Sequence, residues 1–175
     1  MRLFIAIQLN DEIRSALSSV QEQLIRRGVR GNYTSLENLH LTLAFIGEYP
    51  DPDAVLDALS AVSFFPFSLR LDGFGCFGDL WWVGLSQSEA LNTTVRHLRR
   101  ALSDAGIPFD RKRFSPHITL IRRAVPGGSG RIPSVEIPAA EMTVNRISLM
   151  RSDRGKNGMI YTELGSITAD RSRES

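Results

Sequence analysis

Two of the three histidines in this chain of 175 residues lie in the same four-residue pattern. The letters H-L-T-L at residues 40–43 return as H-I-T-L at residues 117–120. The ordinary pKa of imidazole is close to neutral, so a histidine can both accept and donate a proton at physiological pH. A threonine hydroxyl two residues later can donate a hydrogen bond to an anionic oxygen. The repeat therefore predicts a paired acid and base beside two hydroxyl groups.

Strand geometry tells which of these side chains point the same way. Side chains alternate between the two faces of a strand, so His40 and Thr42 share one face, as do His117 and Thr119. Two such strands related by a pseudo-twofold axis would place two imidazoles across one cleft. A neutral histidine could then take a proton from an attacking water while a protonated one supplies the leaving oxygen. We predict in-line phosphoryl transfer that needs no metal, with the threonine hydroxyls stabilising the phosphate charge.

Other interpretations of these residues are weaker. A single histidine beside a threonine on a strand is most often a surface residue, but the second copy favours a functional pair. A zinc site would need further ligands of matching type, and Cys76 has no partner nearby in the sequence. The third histidine, His97, lies off the apolar face of its predicted helix, so we expect it on the surface.

The elements that must position the motifs come as strands mixed with helices. Each motif strand follows a predicted helix of about 16 residues, which indicates a duplicated lobe within an α+β fold. Asn10 is the expected N-cap of the first of these helices. The predicted strands are 3–9, 38–46, 67–71, 80–85, 117–123, 142–150 and 159–164. The first predicted helix follows Asn10 and ends near Gly28, and the others run from Pro52 to about Ala61 and from about Glu89 to Asp104.

The composition is that of a globular protein, with 42% hydrophobic and 23% charged residues. The apolar runs are too short to span a membrane, and no secretory signal opens the chain, so we expect a cytoplasmic protein. Residues 1–87 carry 6 Lys+Arg and 10 Asp+Glu, a charge of −4, whereas residues 88–175 carry 15 and 9, a charge of +6. The second half suits an anionic partner, although a solvated Arg-rich surface would explain the charge as well.

Two further patterns receive structural interpretations. Residues 73–78 spell G-x-G-x-x-G, but a strand follows where a dinucleotide site requires a helix, so a turn or bulge between strands is favoured. Trp81 and Trp82 are adjacent on a predicted strand, so at least one must point into the core. The single cysteine, Cys76, is expected to be a buried small hydrophobic residue.

The motifs and their surroundings resemble the two-histidine (2H) phosphoesterases, and among them the RNA 2′,3′-cyclic phosphodiesterases once named 2′-5′ RNA ligases. The matching stretches are 2–7, 37–48, 114–122 and 161–164, which together span nearly the whole chain. The resemblance implies a bilobal α+β fold of two pseudo-symmetric antiparallel-sheet lobes with outer helices and a central cleft. Residues 1–170 would form this single domain, and residues 171–175 a frayed tail. It also implies an RNA or oligonucleotide substrate with a 2′,3′-cyclic phosphate end and no metal. We further expect no cofactor, no membrane partner and a monomer, although the sequence leaves the oligomeric state open.

The same resemblance assigns roles to individual residues. His40 would be the proton donor and His117 the proton acceptor, while Thr42, Thr119 and Arg122 would bind the phosphate. In an unbroken strand, however, Arg122 lies on the face opposite His117. Either the strand bulges there, or Arg123 reaches the cleft instead.

Two departures from the family pattern accompany these roles. The family's Arg-Pro-Phe run before the second motif is Lys112-Arg113-Phe114 here, so the proline is replaced. Before the first motif the family has an aromatic residue, often Trp, and Tyr33 takes that place.

Several functions remain open at this point. The enzyme could hydrolyse RNA ends, or act on a small nucleotide or a 2′,5′-linked oligonucleotide. The same two histidines would also permit ligation of a cyclic end to a 5′-hydroxyl. A binding module that holds RNA ends without chemistry is the alternative from another class.

Overall fold

A computed structural model describes residues 1–171 of the chain. In chain order the elements are β1 (Arg2–Gln8), α1 (Asp11–Arg26), β2 (Arg30–Tyr33), a 3₁₀ turn (Leu36–Asn38), β3 (His40–Glu48), α2 (Pro52–Ser60), β4 (Phe67–Phe77), β5 (Leu80–Leu85), α3 (Glu89–Asp104), β6 (His117–Val125), β7 (Glu141–Val144), β8 (Arg146–Gly155) and β9 (Gly158–Thr168).

The strands form two sheets in which every pair is antiparallel. The first sheet has the order β3-β1-β8-β9 and the second β2-β6-β5-β4-β7. In each sheet the motif strand is flanked by the strand that precedes its helix, β1 beside β3 and β5 beside β6. The predicted α+β fold with two related antiparallel lobes is therefore confirmed.

The two 16-residue helices repeat each other position by position. Asn10 and Ser88 cap them, because each side-chain oxygen accepts the backbone N–H three residues later. The buried residues recur at a constant separation of 78 positions. They are Ile13, Ala16, Leu17, Val20 and Leu24 in α1, and Leu91, Thr94, Val95, Leu98 and Leu102 in α3. The sequence prediction of a duplicated lobe thus extends to the individual side chains that anchor each helix.

One cluster of buried apolar residues connects the two sheets and the helices. It includes Ile5 and Leu43 from the first sheet and Trp81 and Leu120 from the second, all at most 2% exposed. Within the described residues, no helix has the length and apolar character needed to cross a membrane.

The structure corrects the predicted strand at 142–150. The segment is two strands, because Val144 pairs with Phe67 in the second sheet whereas Arg146 pairs with Thr168 in the first. The chain passes between the sheets at Asn145, whose carbonyl accepts the Ala169 backbone N–H. Both halves of the segment are rich in strand-forming apolar residues, so the sequence predicts one continuous strand across the crossing.

The glycine-rich stretch 73–78 belongs to strand β4 and the turn that follows it, as expected for a structural element. A Cβ at Gly75 would lie 2.5 Å from the ring of Trp82, so glycine leaves room for that indole. Cys76, expected to be buried, is instead half-buried against the core. Of the predicted tail at 171–175, residues 172–175 lie outside the described part of the chain.

Candidate active site

Each motif histidine is the first residue of its strand, β3 at the edge of the first sheet and β6 next to the edge strand of the second. His40 opens β3 and is paired with Gln8, and His117 opens β6 and is paired with Gly84. The burial pattern is the same over the first six residues of both strands, with two neighbouring buried positions after the threonine. Such a break in the alternation of a strand indicates a β-bulge.

The bulges lie at equivalent positions. In β3, Thr42 is paired with Ala6 and Ala44 with Ile5, so Leu43 is the extra residue. In β6, Thr119 is paired with Trp82 and Ile121 with Trp81, so the extra residue is Leu120. Each bulge reverses the side-chain parity of the residues that follow it.

This reversal answers the question of which arginine faces the cleft. After the bulge, Ile121 turns into the core, where it is fully buried, and Arg122 lies on the face of His117 and Thr119. Arg122 is also close enough to His40 for its charge to lower the pKa of that imidazole. Arg123 takes a left-handed backbone conformation, with a φ of 53°, at a second irregularity opposite Gly31. The cleft position therefore belongs to Arg122.

Both imidazoles are held in the same orientation. Nδ1 of His40 lies 2.6 Å from the Asn38 carbonyl oxygen, and Nδ1 of His117 lies 2.7 Å from that of Ser115. A carbonyl oxygen only accepts hydrogen bonds, so each Nδ1 must carry a proton and donate it. In the neutral ring, each Nε2 then keeps its lone pair for chemistry.

His40 lies in an aromatic pocket. The rings of Phe4 and Tyr161 are centred 5.0 and 5.2 Å from its imidazole, and Thr42 Oγ1 lies 2.8 Å from Nε2. Burial lowers the pKa of His40, and the positive charges of Arg122 and His117 lower it further, whereas the hydrogen bond to Asn38 acts in the opposite direction. The ligand-free site thus favours a neutral His40.

His117 lies beside a more open pair of rings. Phe77 meets it edge-on at 5.1 Å and Trp82 at 6.1 Å, and the side chain of Phe77 is 47% exposed. Trp81 is buried in the core, as expected for one of the two adjacent tryptophans. Among the described residues, no hydrogen bond corresponding to that of His40 with Thr42 joins His117 to Thr119.

The carbonyl groups at the two bulges are held by the two long helices, each acting on the strand of the other repeat. Arg99 of α3 donates to the Leu43 carbonyl oxygen from Nε and Nη2, at 3.2 and 3.0 Å. Gln21 of α1 donates to the Leu120 carbonyl oxygen at 3.0 Å. Both side chains stand at the eleventh position of their helix. The helices therefore fix the backbone from which the motif side chains project.

Arg99 also reaches the approach to the second motif. Its Nη1 donates to the Lys112 carbonyl oxygen at 2.7 Å, and its guanidinium lies 5.7 Å from the ring centres of Phe109 and Phe114. Lys112 and Phe114 are two of the three residues that stand where the family has its Arg-Pro-Phe run. One side chain thus ties the first motif strand to the segment leading into His117.

A cavity of about 880 Å³ opens beside His40. Asn38 and Tyr161, which both contact His40, line it together with Arg122 and Tyr33. The Tyr33 hydroxyl donates to the Val29 carbonyl oxygen, and burial raises the pKa of this phenol. The aromatic residue placed before the first motif on resemblance therefore borders the site.

The described residues contain no group of three or more His, Cys, Asp and Glu side chains arranged to hold a metal ion. His97 is exposed on α3, as expected from its position off the apolar face.

Some residues around the site were not found from the sequence. Phe4, Phe77, Gln21 and Arg99 join it through contacts between distant parts of the chain. The equal positions of Gln21 and Arg99 in two similar helices were the one local signal that could have identified a pair.

Comparisons with known proteins identify one family and relatives that share one name. A family model described as the 2′-5′ RNA ligase superfamily matches residues 8–156. The RNA 2′,3′-cyclic phosphodiesterase of Thermotoga maritima is 34% identical over 175 aligned residues, which cover 94% of this chain and 93% of that protein. The protein of the same name from Thermus thermophilus is 34% identical over 183 aligned residues, covering 94% and 88%.

The fold is also similar to a solved structure. The crystal structure of Escherichia coli LigT complexed with 3′-AMP superposes with a TM-score of 0.79 at 28% identity. The match covers 97% of this chain and 98% of that one.

Proposed function

Because the chain belongs to the 2′-5′ RNA ligase superfamily, we propose that it hydrolyses RNA 2′,3′-cyclic phosphate ends to 2′-phosphomonoesters. The relatives that match over nearly their whole length carry the name of a phosphodiesterase acting on such ends. The observation that carries the proposal is the pair of imidazoles held alike through Nδ1, with Arg122 beside them.

The reaction breaks one phosphorus–oxygen bond and forms another. His117 accepts a proton at Nε2 from a water molecule, whose oxygen attacks the phosphorus. The bond between phosphorus and the 3′ oxygen breaks on the opposite side, in line with the attack. His40 donates its Nε2 proton to the departing oxygen, which leaves a 3′-hydroxyl and a 2′-phosphate.

The remaining site residues would stabilise the negative charge on the phosphate. The Arg122 guanidinium and the hydroxyls of Thr42 and Thr119 would bind the non-bridging oxygens, which gain charge as the transition state forms. Thr42 now lies against Nε2 of His40. Its hydroxyl must turn towards the phosphate before this nitrogen can reach the leaving oxygen.

The pKa of His40 sets a condition on its acid role. Burial lowers that pKa in the ligand-free protein, which disfavours the protonated form that an acid requires. A phosphodiester in the cleft brings a negative charge next to the imidazole, and an opposite charge favours the protonated ring. We therefore propose that substrate binding itself supplies the acid form of His40.

The direct test is turnover of an oligonucleotide that ends in a 2′,3′-cyclic phosphate, in EDTA, with identification of the product. The expected product is the 2′-phosphate, formed at an undiminished rate in the chelator. A 3′-phosphate would overturn the assigned leaving group, and loss of activity in EDTA would overturn metal independence. Salt-sensitive binding without any product would favour an RNA-end-binding module instead.

Three finer points belong to the same proposal. We propose that the enzyme acts as a monomer without metal and works in the cytoplasm, where an RNA substrate would be met. Sedimentation at micromolar concentration would test the first point, since a dimer would double the mass. Fractionation of cells that express the tagged chain would test its location.

A further inference from the structure

The cavity is lined by residues that contact His40 and not by the rings that contact His117, and Tyr33 and Arg122 of the second sheet also line it. Its lining includes Asn38, whose carbonyl holds His40, and Tyr161, whose ring packs edge-on against the same imidazole. Phe77 and Trp82, the rings around His117, lie outside this lining. The space next to the two histidines is therefore unequal.

In-line displacement gives this inequality a chemical meaning. The attacking and leaving oxygens lie on opposite sides of the phosphorus, so the group that carries the leaving oxygen sits with the acid. In a 2′,3′-cyclic phosphate that oxygen belongs to the terminal ribose, which also carries the base and the RNA chain preceding it. If His40 is the acid, the bound RNA strand must extend away from the phosphate on the His40 side.

The cavity has the chemistry to receive that strand. Ile160 and Met159, at the start of strand β9, are 54% and 38% exposed and offer an apolar surface for a base. Lys156 in the turn between β8 and β9 and Arg122 on β6 are cations that suit phosphate groups. Glu37 is the acidic residue of the lining, so the cations outnumber it.

We propose that this cavity binds the 3′-terminal nucleoside of the RNA, with Lys156 contacting the phosphate that precedes it in the chain. This inference rests on the proposed function and deepens it, because it gives the bound strand a direction. The side of His117, bounded by Phe77 and Trp82, is left for water in hydrolysis.

The test compares two substrates, a short oligonucleotide with a 2′,3′-cyclic end and a mononucleoside 2′,3′-cyclic phosphate, which lacks the preceding phosphate. Lys156→Gln should raise KM for the oligonucleotide about fivefold and leave the mononucleotide unchanged. It should also reduce the slope of log(kcat/KM) against log(salt) by about 0.7 for the oligonucleotide, the value for one phosphate contact on a single strand. Arg100→Gln removes the same charge from the exposed surface of α3 and is the matched control.

Each outcome bears on one of the two proposals. If the wild type turns over neither substrate, the proposed function fails. If it turns over both and Lys156→Gln behaves like Arg100→Gln, the strand path is wrong while the function stands. If Phe77→Ala, rather than Lys156→Gln, raises KM only for the oligonucleotide, the strand runs past His117 and the direction proposed here is reversed.

Discussion

The strands β3 and β6 have the same backbone design but different surroundings. Both begin with the motif histidine, bulge one residue after the threonine, and receive a hydrogen bond to the bulge carbonyl from the other repeat's helix. After the bulge, however, Arg122 takes the cleft position on β6, whereas the equivalent position on β3 is Phe45. Phe45 stacks on Phe4, which in turn contacts His40.

This difference shows how a duplicated unit can give its two histidines unlike surroundings. The repeated backbone holds each imidazole through Nδ1, whereas the side chains around the two rings differ. Apolar rings around His40 lower its pKa by burial, and the arginine of the other strand adds positive charge nearby. A bound anion would change this balance most strongly at the more buried histidine.

The largest expected effect separates the two histidines by their chemistry. His40→Ala and His117→Ala should each lower kcat by about 10²–10⁴, the range for loss of a general acid or base. A cyclic substrate with sulfur in place of the 3′ oxygen releases a thiolate, which leaves without being protonated. His40→Ala should therefore regain most of its activity on the sulfur substrate, whereas His117→Ala should not.

The assigned roles of the two histidines would be wrong if His117→Ala, and not His40→Ala, regained activity on the sulfur substrate. Recovery by His117→Ala alone would exchange the acid and base, and equal recovery by both variants would remove the distinction between them. Circular dichroism of both variants checks that the fold is kept.

The next effect concerns the cleft position after the bulge. Arg122→Gln should lower kcat/KM by about 10- to 100-fold, as expected when a charged hydrogen bond to the phosphate is lost. It should also raise the pKa of His40, because the arginine charge lowers it. If His40 is the acid, the alkaline limb of the kcat/KM profile then moves to higher pH.

Arg123→Gln is the control, since the two arginines are adjacent and both exposed. A larger loss for Arg123→Gln would mean that the bulge does not decide which arginine binds the phosphate.

The sequence predicted the repeat, both long helices and the face shared by each histidine and threonine, because these depend on local periodicity. It could not decide between Arg122 and Arg123, since the bulge arises from pairing with a distant strand. It also missed strand β2, whose residues Arg30 to Tyr33 are mostly polar and exposed and carry no alternating pattern. Aromatic contacts such as that of Phe77 with His117 are equally invisible before the sheets assemble.

A smaller effect is expected at the helix side chains that hold the bulges. Arg99→Gln loses hydrogen bonds to Leu43 and to Lys112, so it should lower the free energy of unfolding by about 1–3 kcal/mol. Because both motifs would shift, kcat should fall several-fold with little change in KM. Gln21→Leu affects the bulge of the second motif and should cost about 1 kcal/mol.

Arg96→Gln, on the exposed surface of α3, is the control for the loss of an arginine. Equal losses of stability for the Arg99, Gln21 and Arg96 variants in urea unfolding would remove the special role of the bulge contacts.

The smallest effect is the pH dependence of stability that comes from His40. Its pKa is lowered in the folded protein, so the unfolded chain takes up the proton first as pH falls through the ordinary value of 6.5. In the window below 6.5 and above the folded pKa the unfolded state binds more protons, so the free energy of unfolding rises with pH. His40→Gln cannot titrate, so the stability of the wild type minus that of the variant should increase through this window and level off above it. A difference that stayed constant with pH would mean that neither burial nor the nearby positive charges disfavour the protonated ring of His40. The contrast between the two motif strands would then be limited to the side chains that surround each imidazole.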